Sequence, residues 1–218
     1  MKTNLRTLFA SAAATVALAA TSNASLILTG VIDGDLTGGN PKAVVITATA
    51  AIADLSAYGL GAANNGGGTD GQEATFAGSV AAGQTILVVA SNDNSDFFTN
   101  NYSDSFVIFV SSNGAGINGD DAVELFFEGA VIDTYGDPDT NGDGETWDYT
   151  DGYAVRIGGA AGAFDQANYA SSFQGLDTLD EAQHISTIGT AFGFTPVPEP
   201  SIALLSALGV IGLVRRRR

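Results

Sequence analysis

The chain has no cysteine and only eight lysine and arginine residues among its 218 residues. Without cysteine it can form neither a disulfide framework nor a zinc ribbon, and it offers no thiol nucleophile. Between residues 25 and 195 the only cations are Lys42 and Arg156, against 23 of the 24 acidic residues, which gives this segment a formal net charge of −21. Nucleic acid is bound through clustered Lys and Arg, so this composition argues against a nucleic-acid partner.

The first 24 residues have the pattern of an export signal. Lys2 and Arg6 precede an apolar stretch over residues 8–20, and Ser22, Asn23 and Ala24 place small residues where a signal peptidase cleaves. We therefore expect signal peptidase to cut between Ala24 and residue 25. The alternative, a retained membrane helix, is disfavoured because the apolar stretch is short and rich in alanine.

The end of the chain carries a second targeting pattern. A Pro-Glu-Pro triplet is followed by thirteen uncharged residues, 202–214, and by four arginines, 215–218. Thirteen helical residues rise about 20 Å, less than the roughly 30 Å hydrocarbon core of a bilayer, so a durable span is not expected. The arginines favour the cytoplasmic side, which places the acidic body outside the inner membrane.

This tail resembles the PEP-CTERM sorting signal of Gram-negative bacteria, with Pro198, Glu199 and Pro200 at the name-giving triplet. The resemblance implies processing near the triplet by an exosortase, a membrane-embedded cysteine transpeptidase. It also implies an inner-membrane intermediate and delivery to the cell surface or to an extracellular exopolysaccharide matrix. The alternative is an ordinary tail anchor, which would not require prolines on both sides of a glutamate.

Between the two ends, short β-rich runs alternate with Gly, Asn and Asp clusters, a pattern typical of an all-β sandwich. The pair Glu128-Gly129 between two apolar runs predicts a tight hairpin over residues 122–135. Residues 59–71 are predicted to be a long flexible loop, because so many glycines pack poorly inside a strand. Residues 52–58 are predicted to form at most one helical turn. The predicted strands are 26–32, 43–48, 73–76, 85–90, 105–110, 122–127, 130–135 and 153–157.

The body also resembles the bacterial lamin tail domain, on blocks 28–34, 54–60, 117–125 and 131–137. The most specific part is the pair NGDDAVELF and GAVIDTYGD. The resemblance implies an immunoglobulin-like β-sandwich that binds or spaces without doing chemistry. Alternation along the hairpin predicts one inward face, formed by Val123, Leu125, Phe127, Val131 and Tyr135. The expected organisation is a signal peptide 1–24, a sandwich 25–189, a linker 190–200 and an apolar helix with an arginine-rich end 201–218.

One acidic loop has the spacing of a calcium site. If residue 137 is position 1 of an EF-hand-like loop, oxygen donors fall at positions 1, 3, 5, 9 and 12, and glycine stands at position 6. Gly144 at position 8 and Asp148 at position 12 depart from the pattern, and the flanks read as strands. The alternative is an empty turn, because Asp, Asn and Gly are what long turns contain. The candidate ligands are Asp137, Asp139, Asn141, Asp143, Glu145 and Asp148.

Catalytic groups are hard to find. No spacing singles out a facing pair of carboxylates for hydrolysis. His184 is the only histidine and has neither a second His nor a Cys with which to hold zinc, so we expect it at the surface or partly buried. Trp147, Tyr149 and Tyr153 could stack on sugar rings, but the even spacing of Trp147 and Tyr153 also fits a shared core face on one strand.

The sequence thus predicts a non-enzymatic, exported, acidic β-sandwich that binds or spaces within exopolysaccharide, with no catalytic residue assigned. One alternative is a calcium-dependent adhesin or carbohydrate-binding module that uses the loop 137–148. Another is a hydrolase of polysaccharide or nucleic acid, which would need a cleft lined by facing carboxylates.

Overall fold

The computed structural model describes residues 25–198, so the predicted signal peptide and the tail from Glu199 onward lie outside the described residues. The described chain is mostly β-sheet, as predicted, with two α-helices. The strands are β1 Leu26–Leu36, β2 Asn40–Ala48, β3 Tyr58–Ala63, β4 Ala74–Thr75, β5 Thr85–Val89, β6 Val107–Val110, β7 Ala122–Phe127, β8 Ala130–Tyr135, β9 Gly152–Arg156 and β10 Tyr169–Ser172. The helices are α1 Asn92–Asn101 and α2 Glu181–Phe192.

The strands form two sheets, an arrangement compatible with the predicted β-sandwich. The larger sheet has six strands in the order β10-β9-β1-β2-β5-β6, and the smaller has four in the order β4-β3-β7-β8. Neighbouring strands are antiparallel except β5 and β6, which run parallel. Because β5 and β6 run parallel, the chain must cross back along the sheet between them. Helix α1 lies in this connection.

The main core lies between the two sheets, where Leu28 and Val44 of the larger sheet join the same apolar cluster as Leu60 and Leu125 of the smaller one. A second cluster lies on the opposite face of the six-stranded sheet, beneath α1 and α2. Strands β2 and β5 are therefore covered on both faces. This explains why they read as continuous aliphatic runs and not as alternating ones.

The predicted hairpin 122–135 is confirmed as β7 and β8, joined by Glu128 and Gly129, whose φ angles of 50° and 79° are those of a tight primed turn. The predicted inward face is only partly correct. Val123, Leu125 and Tyr135 are buried, but Phe127 and Val131 are 36% and 40% exposed. For Val131 the physical reason is a β-bulge in β8: Leu125 pairs with Asp133 but Phe126 pairs with Val131, so one extra residue moves Val131 to the other face. Phe127 is the last residue of β7, where its ring packs against Tyr58 and stays partly exposed.

The predicted loop 59–71 is wrong over its first part, which forms the fully buried strand β3. A Cβ atom at Gly59 would lie 2.2 Å from the Ala74 carbonyl oxygen, and one at Gly61 would lie 2.3 Å from that of Gly71. The glycines therefore serve a close approach between backbones and not a flexible loop. The helical turn predicted at 52–58 is also wrong, since Ile52 forms a single β-bridge with Val80. Strand β10 had no sequence prediction.

Neither α1 nor α2 was predicted from the sequence, although each helix begins with a recognisable capping residue. The Ser91 side chain accepts a hydrogen bond from the Asn94 backbone at the start of α1. Helix α2 begins with a capping box between Asp180 and Gln183 and ends at Gly193 in the left-handed conformation. Residues 190–192 of the predicted linker thus belong to α2. No helix among residues 25–198 is both long and apolar enough to cross a membrane.

Candidate functional site

Both cations of the body are held inside the fold against buried carboxylates. Lys42 pairs with Asp33, and its ammonium group also donates to the Ile117 carbonyl at 2.7 Å and to the Asn118 side chain at 3.2 Å. The side chains of Lys42 and Asp33 are 18% and 5% exposed. Burial raises the pKa of Asp33 above its ordinary value, and the bond to Lys42 acts in the opposite direction.

The second pair connects the two sheets. Arg156 of β9 donates through one guanidinium nitrogen to both carboxylate oxygens of Asp133 on β8, at 2.7 and 2.8 Å. The Asp133 carboxylate also accepts the backbone N–H groups of Leu28 at 2.8 Å and Gly162 at 3.0 Å. Arg156 further donates to the carbonyls of Leu28 and Ala160. Burial raises the pKa of Asp133, while the Arg156 charge opposes the rise.

As a result, every cationic side chain among residues 25–198 is engaged internally, and the surface of this part of the chain carries charge of one sign. Carboxylates crowd one another in places. Burial and then the neighbouring Asp121 raise the pKa of Asp120. Burial and then Asp35 and Asp177 do the same for Asp151. This accumulation of negative charge is the dominant electrostatic feature of the body.

The oxygens of the acidic loop 137–148 mainly hold its own turns. Asp137 accepts the Asp139 backbone N–H at 3.1 Å and the Thr140 hydroxyl at 2.9 Å. Asn141 accepts the Asp143 N–H at 2.8 Å. The Asp148 carboxylate, which is buried, accepts the N–H groups of Gly144 and Thr150 at 3.0 and 2.9 Å.

The other three candidate calcium ligands, Asp139, Asp143 and Glu145, have exposed side chains. Across residues 25–198, no group of three or more His, Asp or Glu side chains is arranged to hold a metal ion. Calcium binding at this loop stays a prediction, and a titration is needed to test it.

Two of the aromatic residues beside the loop belong to the core and are not free to stack on a sugar. Trp147 and Tyr149 are 4% and 0% exposed, and the Tyr149 hydroxyl donates to the Asp121 carbonyl at 3.0 Å. Tyr153 lies on β9 and packs against Phe192 of α2, in the second cluster. The prediction that Trp147 and Tyr153 share a face of one strand is therefore wrong.

His184 is fully buried, contrary to its predicted position at or near the surface. It lies on α2, where one ring nitrogen is 3.1 Å from the Asp180 carbonyl and the other accepts the Asp35 backbone N–H at 3.3 Å. The bond from Asp35 ties α2 to the end of β1, and the contact with Asp180 holds the ring against the N-terminal cap of α2, so the imidazole has a structural role.

An open groove of about 450 Å³ lies beside α1, the β1–β2 turn and the start of α2. It is lined by the carboxylates of Asp93, Asp96 and Glu181, together with asparagines and the Phe97 ring. This groove is the feature that comes nearest to the cleft required by the hydrolase alternative. All three carboxylates are exposed, whereas a general acid for glycoside hydrolysis sits in apolar surroundings that keep it protonated.

The last described residues are part of the fold. Ser103 donates its backbone N–H to the Thr195 carbonyl at 2.9 Å, and Val197 donates to the Asn101 carbonyl at 2.9 Å. The Asp104 carboxylate accepts the Thr195 N–H at 2.6 Å. Phe194 is buried among aromatic rings that include Tyr102, Phe106 and Phe98. The body therefore continues to Val197, past the predicted boundary at residue 189.

Comparison with known families identifies the same end of the chain. The family described as the PEP-CTERM protein-sorting motif matches residues 196–218, which confirms the predicted sorting tail. Pro198 of the triplet is the last described residue and is exposed, and Glu199 and Pro200 lie outside the described part. No curated protein and no solved structure matches the chain. The resemblance of the body to the lamin tail domain has no support from these comparisons.

Proposed function

We propose that this chain is a non-enzymatic surface or extracellular-matrix protein that presents an acidic β-sandwich for binding or spacing in exopolysaccharide. The observation that carries the proposal is the sorting motif at 196–218, which is that of an exported protein processed by an exosortase. It is joined to a body with no free cationic side chain among residues 25–198. The motif supports a location outside the cytoplasm, and the uniformly negative surface supports a role there that depends on charge.

The proposed route begins with export and signal peptidase cleavage after residue 24. The apolar stretch 202–214 then holds the chain transiently in the inner membrane of a Gram-negative host, with the arginines on the cytoplasmic side. Exosortase processing near the triplet releases the body toward the surface or the matrix.

In the matrix, the proposed role depends on charge. A body with a formal charge of −21 over residues 25–195 repels copies of itself and stays soluble. It also attracts divalent cations, which can bridge it to anionic polymer. The body is further proposed to be an immunoglobulin-like sandwich of the lamin tail type. The two facing sheets and the β7–β8 hairpin within the NGDDAVELF and GAVIDTYGD blocks support this assignment.

Fractionation of the host tests the proposal. The full chain is compared with a chain that lacks residues 198–218 and so keeps the paired residues Pro196 and Val197. The substitution Asp70→Asn, at an exposed residue, serves as a control that leaves the tail intact. We expect the full chain and the control in the surface or matrix fraction, and the deleted chain in the periplasm or the medium. An unchanged location after deletion would reject the sorting role. Retention in a host without exopolysaccharide would reject the polymer as the binding partner.

A further inference from the structure

The sorting motif begins inside the folded body. Its first two residues, Pro196 and Val197, are paired with the last residue of α1 and the residue after it. Pro196 forms a β-bridge with Tyr102, and Val197 donates its N–H to the Asn101 carbonyl. We call residues 195–197 together with residues 101–104 the C-terminal strap. Its backbone bonds join Ser103 to Thr195 and Val197 to Asn101, each at 2.9 Å.

Two further contacts fix the strap to the body. The Thr195 N–H donates to the Asp104 carboxylate at 2.6 Å, and the Ser103 hydroxyl donates to the Thr195 carbonyl at 3.2 Å. Just before the strap, Phe194 is 7% exposed and packs against Tyr102, with ring centroids 5.4 Å apart. Peeling residues 195–197 away would therefore break several hydrogen bonds at the edge of an aromatic cluster.

Little chain separates the strap from the membrane-directed stretch. Only residues 198–201 lie between Val197 and Ile202, and four extended residues span at most about 14 Å. The body surface must therefore lie close to any enzyme that acts at the triplet. An enzyme that binds an extended peptide on the amino side of the bond would compete with the strap for residues 195–197.

We propose that the strap confines processing to bonds beyond Val197 and slows it. The processing enzyme can bind residues 195–197 only when these residues separate from residues 101–104. This inference rests on the proposed function and adds the position and the control of the processing step. In that step one peptide bond breaks, the released tail takes the new amino group, and the carboxyl end of the body passes to water or to an amine acceptor. The mature body keeps the strap as its last ordered segment.

The test uses the full chain in its processing host, with pulse–chase labelling and the intact mass of the mature protein. Ser103→Pro removes the backbone donor to Thr195, and Tyr102, with φ −125° and ψ 144°, already has the extended conformation preferred before proline. Asp104→Ala is a milder second variant that removes the acceptor of the Thr195 N–H. Asp96→Ala is the matched control, because it removes an exposed carboxylate of α1 outside the strap. Thermal melting checks that each variant still folds.

We expect a wild-type mature end at Pro198 or later. Processing should be roughly threefold to tenfold faster in both strap variants, as for the loss of one or two hydrogen bonds, and unchanged in Asp96→Ala. A mature end at or before Val197, or unchanged rates in both folded strap variants, overturns the inference while the sorting role stands. A chain that keeps its full tail at the surface overturns both the inference and exosortase processing.

Discussion

The buried pair between Arg156 and Asp133 makes the sharpest prediction for stability. Replacing Arg156 with methionine keeps much of the side-chain volume but leaves the Asp133 carboxylate, 1% exposed, without its cation. The change also removes the donors to the Leu28 and Ala160 carbonyls. Breaking a buried pair in this way typically costs about 3–5 kcal/mol. Because the backbone N–H groups of Leu28 and Gly162 still bind the carboxylate, we expect the lower end, about 3 kcal/mol.

Urea unfolding of the purified protein measures this cost as the change in the free energy of unfolding at constant m-value. Lys42→Met is the matched control. We expect a smaller loss there, because the Lys42 side chain is 18% exposed against 7% for Arg156. The double variant Asp133→Asn with Arg156→Met should cost less than the sum of the two single variants, since the uncompensated charge is gone. A loss below about 1 kcal/mol for Arg156→Met would refute the claim that this pair joins the sheets.

Three further predictions concern charge, metal and packing. Burial and neighbouring carboxylates raise the pKa of Asp120 and Asp151, so the folded state binds protons more tightly than the unfolded chain. The stability that these two groups contribute should be present below the ordinary carboxyl pKa of 3.8 and be lost as pH rises through the raised values. A wild-type Tm that does not fall with rising pH relative to the Tm of the double variant Asp120→Asn with Asp151→Asn would contradict this. A calcium site in the loop 137–148 predicts a Tm increase at millimolar calcium that is lost when Asp137 and Asp139 are both changed to alanine, and no increase would remove the site. Gly61→Ala should lower the free energy of unfolding by about 1–3 kcal/mol, because the added Cβ would meet the Gly71 carbonyl. Gly158→Ala should cost less, because the nearest atom to its added Cβ is 3.9 Å away. Equal losses in the two variants would argue against the close approach at Gly61.

The sequence was most informative where local chemistry decides the structure. The Glu128-Gly129 turn and the flanking apolar runs predicted both strands of the hairpin with their observed bounds. The same alternation failed at Val131, because the bulge in β8 depends on strand pairing and leaves no mark in the hydrophobic pattern. Phe127 is partly exposed because it is the last residue of β7. Phe127 packs against Tyr58, with ring centroids 4.7 Å apart.

The missed elements depend on tertiary contacts. Gly59 and Gly61 weaken the strand signal of β3, yet their missing side chains let the neighbouring backbone approach. Helix α1 is rich in Asn, Asp, Ser and Thr, which are poor helix formers, and Phe97 and Phe98 anchor it to the second cluster. Helix α2 carried a readable signal in its capping box, which apolar periodicity alone did not reveal.

For the candidate site, the tail could be predicted because its recognition depends on a short linear pattern, which the family match at 196–218 bears out. The position of Val197 within the body could not, because it depends on hydrogen bonds to residues almost a hundred positions earlier in the chain. The burial of Trp147 likewise depends on its contacts with Tyr135 and Phe164, which lie on either side of the loop.

The burial of Lys42 and Arg156 has a consequence for the resistance of the protein to peptidases. Enzymes of trypsin-like specificity cut after lysine or arginine, and between residues 25 and 198 those are the two residues that they could use. Lys42 is paired with β1 and Arg156 with β10, and both side chains are engaged, so cleavage there requires the sheet to open first. Digestion of the folded body by such an enzyme should therefore be governed by unfolding and not by access to surface loops.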